Sequence, residues 1–166
     1  MTNPRTLELR PDGPMILTAH AKQLVAAAMY RKGKAFVGAA MLVRTYGGDE
    51  YVVLHLICQG IELVLKAILL AIDYDKYCSR LKHLGHDLLK TAREVVTVVG
   101  ATPLKPILTT ELKELANLYQ QHVLRYGTAF DILVEPSTIP SAVVVARIHA
   151  VMRLAQRRLP SLRARL

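Results

Sequence analysis

Four polar side chains interrupt an otherwise apolar stretch between residues 51 and 72. They are His55, Gln59, Glu62 and Lys66, at offsets of 0, 4, 7 and 11. At about 100° per residue, the four fall within roughly 60° of one another on a helix. Glu62 and Lys66 have the spacing and order that favour a helical ion pair. This narrow line predicts a polar seam inside a bundle. The alternative is a pocket between helices that binds a nucleotide phosphate or another small ligand.

Further polar residues follow this stretch. Cys78, His83 and His86 have a spacing that is uncommon in closed zinc sites, so no metal site is predicted. His86 and Asp87 are better explained as a helix start, where the helix dipole favours the carboxylate of Asp87, and they extend the polar seam. The sequence has no glycine-rich phosphate loop, nucleophile elbow, HExxH or CxxC. No cofactor is predicted.

The C-terminal end is strongly basic. The chain has a net charge of +9, and residues 141–166 hold six arginines and no acid. Such a segment can bind the phosphates of nucleic acid, and Arg153 and Arg157 lie on one edge of the predicted last helix. The other interpretation is a solvated helix face, because a basic excess alone specifies no partner. The sequence leaves both open.

The elements that position these residues are predicted to be helical. Apolar residues make up 52% of the 166 residues and tryptophan is absent, which favours one all-α domain. We expect a bundle of about five helices with the helix near residues 51–72 at its centre. Capping residues and glycines predict the segments of this chain. They are a flexible leader over 1–13, the helical-bundle domain over 14–160 and a basic tail over 161–166, with helices near 15–46, 51–72, 86–100, 109–127 and 140–160 and a polar connection over 73–85. Asp49 is the predicted cap of the second helix, Gly100 ends the third, and Thr109 or Thr110 caps the fourth, whose apolar face includes Tyr119. Gly33 and Gly38 predict a kink or close helix packing in the first helix.

Location and assembly can also be predicted. The two cysteines form no disulfide framework and the first 13 residues do not resemble a signal peptide, so we expect a cytoplasmic protein. Residues 51–72 are nearly long enough to span a bilayer, but charges along this stretch argue against membrane insertion. The first helix is long, rich in alanine and contains glycine, and the composition is more apolar than a small monomer needs, which predicts a homodimer that buries faces of the long helices.

Three short segments resemble the HEPN superfamily of helical bundles. Residues 55–70 read HLICQGIELVLKAILL, residues 82–88 read KHLGHDL, and residues 119–127 read YQQHVLRYG. In that superfamily a helix of the form Q-x-x-E-x-x-x-K precedes a G-H-D-L turn. The resemblance implies a bundle of four or five helices that pairs as a homodimer. Many members are ribonucleases of toxin–antitoxin, phage-defence or RNA-processing systems, and others are binding or scaffold domains without catalytic residues.

Active members of the superfamily carry an arginine followed four to six residues later by a histidine, on a late helix at the dimer interface. The arginine would stabilise charge on the phosphorane, and the histidine would move protons, without a metal. Here Arg80 and His86 have that spacing but lie before the third predicted helix, and Arg147 and His149 project about 200° apart. We therefore predict a non-catalytic accessory or binding protein with RNA or a cognate protein as partner, linked to bacterial stress, defence or toxin–antitoxin systems. The alternative is a metal-free endoribonuclease toxin, for which the weak catalytic candidates are Arg80, His86, His122 and Arg125.

Overall fold

The computed structural model describes residues 17–100 and 106–121, and six single residues beyond them: Leu124, Met152, Arg153, Gln156, Arg157 and Leu159. Within this part of the chain all regular structure is helical, and no strand occurs. The helices are α1 (Ala19–Thr45), α2 (Glu50–Ile72), α3 (Tyr74–Leu84), α4 (Leu88–Val99) and α5 (Pro106–Gln120). The predicted all-α bundle is confirmed. The predicted leader over 1–13 and tail over 161–166, together with His122, Arg125, Arg147 and His149, lie outside the described residues.

Helix α2 is the centre of the bundle, as predicted. It packs against α1, α3, α4 and α5. Because apolar residues occupy nearly all its sides, most of the helix is buried. By length and composition alone α2 could cross a membrane, but 67% of its most apolar window is buried by the rest of the chain. This burial is what the central helix of a bundle requires.

The crossing of α1 and α2 brings two glycines into contact. A Cβ atom added to Gly33 would lie 2.8 Å from the carbonyl oxygen of Gly60, and one added to Gly60 would lie 2.9 Å from the carbonyl oxygen of Gly33. The two backbones therefore touch, which only residues without a side chain permit. The sequence predicted close packing or a kink at Gly33 and Gly38. Gly33 provides the close packing, whereas Gly38 is exposed and has no neighbour within 4 Å.

Aspartates begin three of the helices. The side chains of Asp49, Asp73 and Asp87 accept hydrogen bonds from backbone N–H groups in the first turns of α2, α3 and α4, respectively. Asp49 as a cap and Asp87 at a helix start were predicted. The expected polar connection over 73–85 is wrong, because α3 occupies most of it. This helix buries only Tyr77 and Leu84, and its apolar stripe is too sparse to stand out in the sequence.

Two further boundaries bear on the site. Helix α4 ends at Gly100, which has φ 64° in the left-handed region, as its position in the sequence predicted. Helix α5 begins at Pro106, earlier than the predicted cap at Thr109 or Thr110, because proline fits the first turn of a helix. The described residues of the predicted last helix are helical at 152–153 and 156–157, and the Tyr30 hydroxyl donates a hydrogen bond of 3.3 Å to the Met152 carbonyl oxygen.

Candidate functional site

The carboxylate of Glu62 gathers side chains from three parts of the fold. Its Oε1 accepts a hydrogen bond of 2.6 Å from Lys66 Nζ on the next turn of α2. Its Oε2 accepts one of 2.9 Å from the Tyr119 hydroxyl on α5 and lies 2.9 Å from Nδ1 of His86, in the turn between α3 and α4. Glu62, Lys66, His86 and Tyr119 are called the Glu62 cluster below. The cluster joins α2 to α5 and to the α3–α4 turn.

Lys66 also contacts the backbone between α3 and α4. Its Nζ donates a hydrogen bond of 2.7 Å to the carbonyl oxygen of Gly85. Gly85 has φ 53°, a left-handed conformation that glycine adopts at little cost. The backbone after α3 can therefore present this carbonyl to Lys66. Two donors of the buried ammonium thus have acceptors, which a buried charge requires.

The surroundings of Glu62 keep it ionised. Burial by itself would raise the pKa of this carboxyl, but the hydrogen bonds from Lys66 and His86, the positive charge of Lys66 and the hydroxyl of Tyr119 outweigh burial. The net effect lowers the pKa of Glu62 below its ordinary value of 4.5. An ionised carboxylate only accepts hydrogen bonds, so Nδ1 of His86 carries a proton and donates a hydrogen bond to Glu62. The cluster therefore fixes both the position and the tautomer of the imidazole when His86 is neutral.

Aromatic contacts extend the cluster along α2. The ring of Tyr119 lies 5.6 Å from the ring of His55 and 5.9 Å from that of His86, the latter in a T-shaped arrangement. His55 and Gln59 are half-buried. Of the predicted polar seam, Glu62 and Lys66 form the centre, and His86 joins them from the next turn. Asp87 caps α4, where it accepts a hydrogen bond of 2.8 Å from the backbone N–H of Lys90.

Tyr119 is the residue of the cluster that sequence reasoning missed. Its spacing placed it on the apolar face of its helix, and it is indeed buried. The available signal was its hydroxyl, because a buried tyrosine needs a hydrogen-bond partner. Nothing in the linear sequence indicated that the partner would be Glu62, 57 positions earlier.

The weak catalytic pair Arg80 and His86 contacts two different carboxylates. Arg80 lies on α3, where its Nη1 is 3.8 Å from Oε1 of Glu94 on α4. The same carboxylate oxygen accepts a hydrogen bond of 2.8 Å from the Tyr77 hydroxyl. His86 instead contacts Glu62. The structure therefore engages the two side chains in separate interactions. The second pair, His122 and Arg125, lies outside the described residues.

Two other sets of residues can be placed. Arg153 and Arg157, the candidate nucleic-acid contacts, are both exposed on a helical segment. Among the described residues, no group of three or more histidine, cysteine or acidic side chains is arranged to hold a metal ion.

Comparison with models of protein families, with curated proteins and with solved structures found no match to this chain.

Proposed function

We propose that this chain is a non-catalytic HEPN-like binding protein, an accessory component of a bacterial stress, defence or toxin–antitoxin system. The HEPN part of the proposal rests on the Q-x-x-E-x-x-x-K, G-H-D-L and R-Y-G segments. The non-catalytic part rests on one structural observation. In the Glu62 cluster, the best candidate for a reactive centre, the buried Glu62, Lys66 and Tyr119 are engaged with one another. The half-exposed His86 contacts the same carboxylate.

The engagement of Glu62 argues against several reactive roles. A general base must have a basic oxygen available to a substrate proton, and Glu62 already accepts from three donors. A phosphate-binding lysine must direct its charge at the ligand, whereas Lys66 directs it at Glu62 and at the Gly85 carbonyl. The cluster has the residue types of an active site, but its side chains form hydrogen bonds with one another that link the helices. This also argues against a nucleotide pocket along the polar seam.

The Arg–His pair supports the same proposal. Metal-free RNA cleavage needs an arginine and a histidine directed at the same phosphate. Arg80 and His86 contact Glu94 and Glu62, respectively, so the two side chains are directed at separate carboxylates rather than at a common site. A binding protein does not need them to converge.

An RNA cleavage assay tests the proposal. The purified full-length chain is incubated with total RNA in the presence of EDTA, beside pancreatic ribonuclease as a positive control. We expect no cleavage above the background of a mock purification. Cleavage by the wild type that is lost in His86→Ala or His122→Ala would refute the non-catalytic assignment and favour a ribonuclease. Arg93→Ala is the matched control, because it removes an exposed side chain that belongs to neither candidate pair and to no candidate nucleic-acid contact.

A further inference from the structure

Helix α1 has a second face whose side chains are exposed. Its inner face packs on α2, whereas six of its residues form an exposed line. At about 100° per residue they lie within about 40° of Leu24 on either side, and they extend over about 27 Å. We call this line the outer face of α1; its members are Leu24, Ala28, Arg31, Ala35, Gly38 and Leu42.

The outer face is apolar at both ends and has small residues on either side of Arg31 in the middle. Leu24 is 48% exposed and Leu42 is 62% exposed, and Val25 and Met41 add exposed apolar surface beside them. Between the ends lie the small residues of the line, and a Cβ atom added to Gly38 would meet nothing within 4 Å. Small residues allow another helix to approach closely, because interaxial distance depends on the side chains at the contact.

The cations near the ends of α1 differ from those at its centre in their pairing with carboxylates. The helix contains five lysines and arginines and no acid. The two near its ends are neutralised, since Lys22 pairs with Asp75 at 2.6 Å and Arg44 pairs with Glu50 at 2.8 Å. The three central cations are exposed, and none forms an ion pair with a carboxylate among the described residues; they are Arg31, Lys32 and Lys34. Arg31 lies on the outer face, and the two lysines flank it on opposite edges.

We infer that the outer face of α1 binds an amphipathic helix of a protein partner that carries apolar residues near both ends and carboxylates between them. This inference supplies a partner class for the proposed binding function and rests on that function. Leu24 and Leu42 would insert between apolar side chains of the partner. The three central cations would meet its carboxylates, which complement their charge.

Other occupants match this surface less well. Nucleic acid would use the cations but would leave the exposed leucines without a role. A membrane-surface helix keeps its cations off the apolar line, whereas Arg31 lies between Leu24 and Leu42 on that line. A second copy, paired antiparallel about the middle of α1, would bring the central cations of both chains together. The homodimer predicted from the sequence would therefore form through another face.

A peptide selection tests the inference. A library of helix-forming peptides of about 21 residues, long enough to cover the outer face, is selected on the immobilised full-length chain. A parallel selection uses the variant Arg31→Gln/Lys32→Gln/Lys34→Gln. The matched control is Lys82→Gln/Arg93→Gln/Lys113→Gln, which removes the same charge from three exposed positions on other helices. The best peptide is then titrated against all three proteins at low and high salt.

We expect peptides selected on the wild type and on the control to carry acidic residues between two apolar ends. The acidic enrichment should disappear on the central-cation variant, and its affinity for the best peptide should fall at least tenfold. The inference is overturned by equal enrichment on both variants, by selection of apolar peptides without acids, or by no selection. It is also overturned if only anionic vesicles or single-stranded RNA bind in a manner that requires the three cations. None of these results would restore ribonuclease activity, so the RNA cleavage assay tests the non-catalytic assignment independently.

Discussion

Replacing Glu62 by glutamine should destabilise the fold more than any exposed charge substitution in the described helices. The change keeps the size of the side chain but removes the charge that Lys66, His86 and Tyr119 share. The side chains of Lys66 and Glu62 are only 11% and 8% exposed, so Lys66 would be left as a buried cation without a countercharge. Its acceptors would be neutral: the new amide oxygen and the Gly85 carbonyl oxygen. Removing one partner of a buried ion pair costs about 3–5 kcal/mol.

Urea unfolding followed by circular dichroism measures this loss. Lys66→Met should cost less, about 2–3 kcal/mol, because Glu62 keeps its contacts with His86 and Tyr119. The double variant should lose at least about 1 kcal/mol less than the sum of the single variants, because the two residues interact directly. Asp75→Asn is the matched control, and it should cost no more than about 1 kcal/mol because Asp75 is 76% exposed.

The difference in free energy of unfolding between the wild type and Glu62→Gln should decrease as the pH falls. The pKa of Glu62 is lower in the folded chain than its ordinary value of 4.5. Its stabilising contribution is therefore fully present above that ordinary value and is lost as the pH falls through the lower folded value. The gap in free energy of unfolding between wild type and Glu62→Gln should shrink below about pH 5. A gap under about 1 kcal/mol at neutral pH, or one that grows on acidification, would refute the role given to this carboxylate.

Three further predictions follow from separate parts of the fold. Gly33→Ala and Gly60→Ala should each lower the free energy of unfolding by about 1–3 kcal/mol, because the new Cβ atom would press on the opposite backbone. Gly38→Ala, in open space on the same helix, should raise it by about 0.5–1 kcal/mol, and equal effects at all three positions in urea unfolding would contradict the crossing. Tyr119→Phe should cost about 1.5–3 kcal/mol in the same assay, since it removes a hydrogen bond to a buried carboxylate, and a neutral result would mean that the hydroxyl does not hold Glu62. Under native conditions iodoacetamide should modify the exposed Cys78 and spare the fully buried Cys58. The pKa of Cys58 is raised well above its ordinary value, first by burial and then by the charge of Glu62. Rapid modification of Cys58 in mass spectrometry would contradict this burial.

Apolar periodicity and capping residues predicted most of the architecture. The central position of α2 follows from the apolar residues on nearly all its sides. The cap at Asp49 and the end of α4 at Gly100 depend on neighbours within a few residues, so the sequence displays them directly. The helix over 74–84 escaped prediction because its burial depends on contacts with the rest of the bundle, and only Tyr77 and Leu84 are buried in it. Tertiary packing supplied what the local pattern lacked.

In the candidate site, too, contacts between near neighbours in the sequence were predictable and contacts between distant residues were not. The ion pair of Glu62 and Lys66 was predictable because both residues lie on one helix, one turn apart. The contacts of Glu62 with His86 and Tyr119 span 24 and 57 positions, and no local rule connects residues so far apart. The contact between Gly33 and Gly60 is of the same kind, since its register depends on how two helices cross. The homodimer, the cytoplasmic location and the HEPN assignment stay predictions.

The separation of the Glu62 cluster from the outer face of α1 assigns stability and binding to different residues. The cluster includes residues of α2, the α3–α4 turn and α5, and its buried and partly buried hydrogen bonds orient these elements. The outer face consists of exposed side chains, whose substitution usually changes stability by less than about 0.5 kcal/mol. The central-cation variant should therefore lose affinity for an acidic helix while it unfolds at the wild-type urea concentration. Glu62→Gln should show the reverse, with lower stability but unchanged affinity in the fraction that remains folded. If one substitution changed both the stability and the affinity, the assignment of stability to the cluster and of binding to the outer face would be refuted.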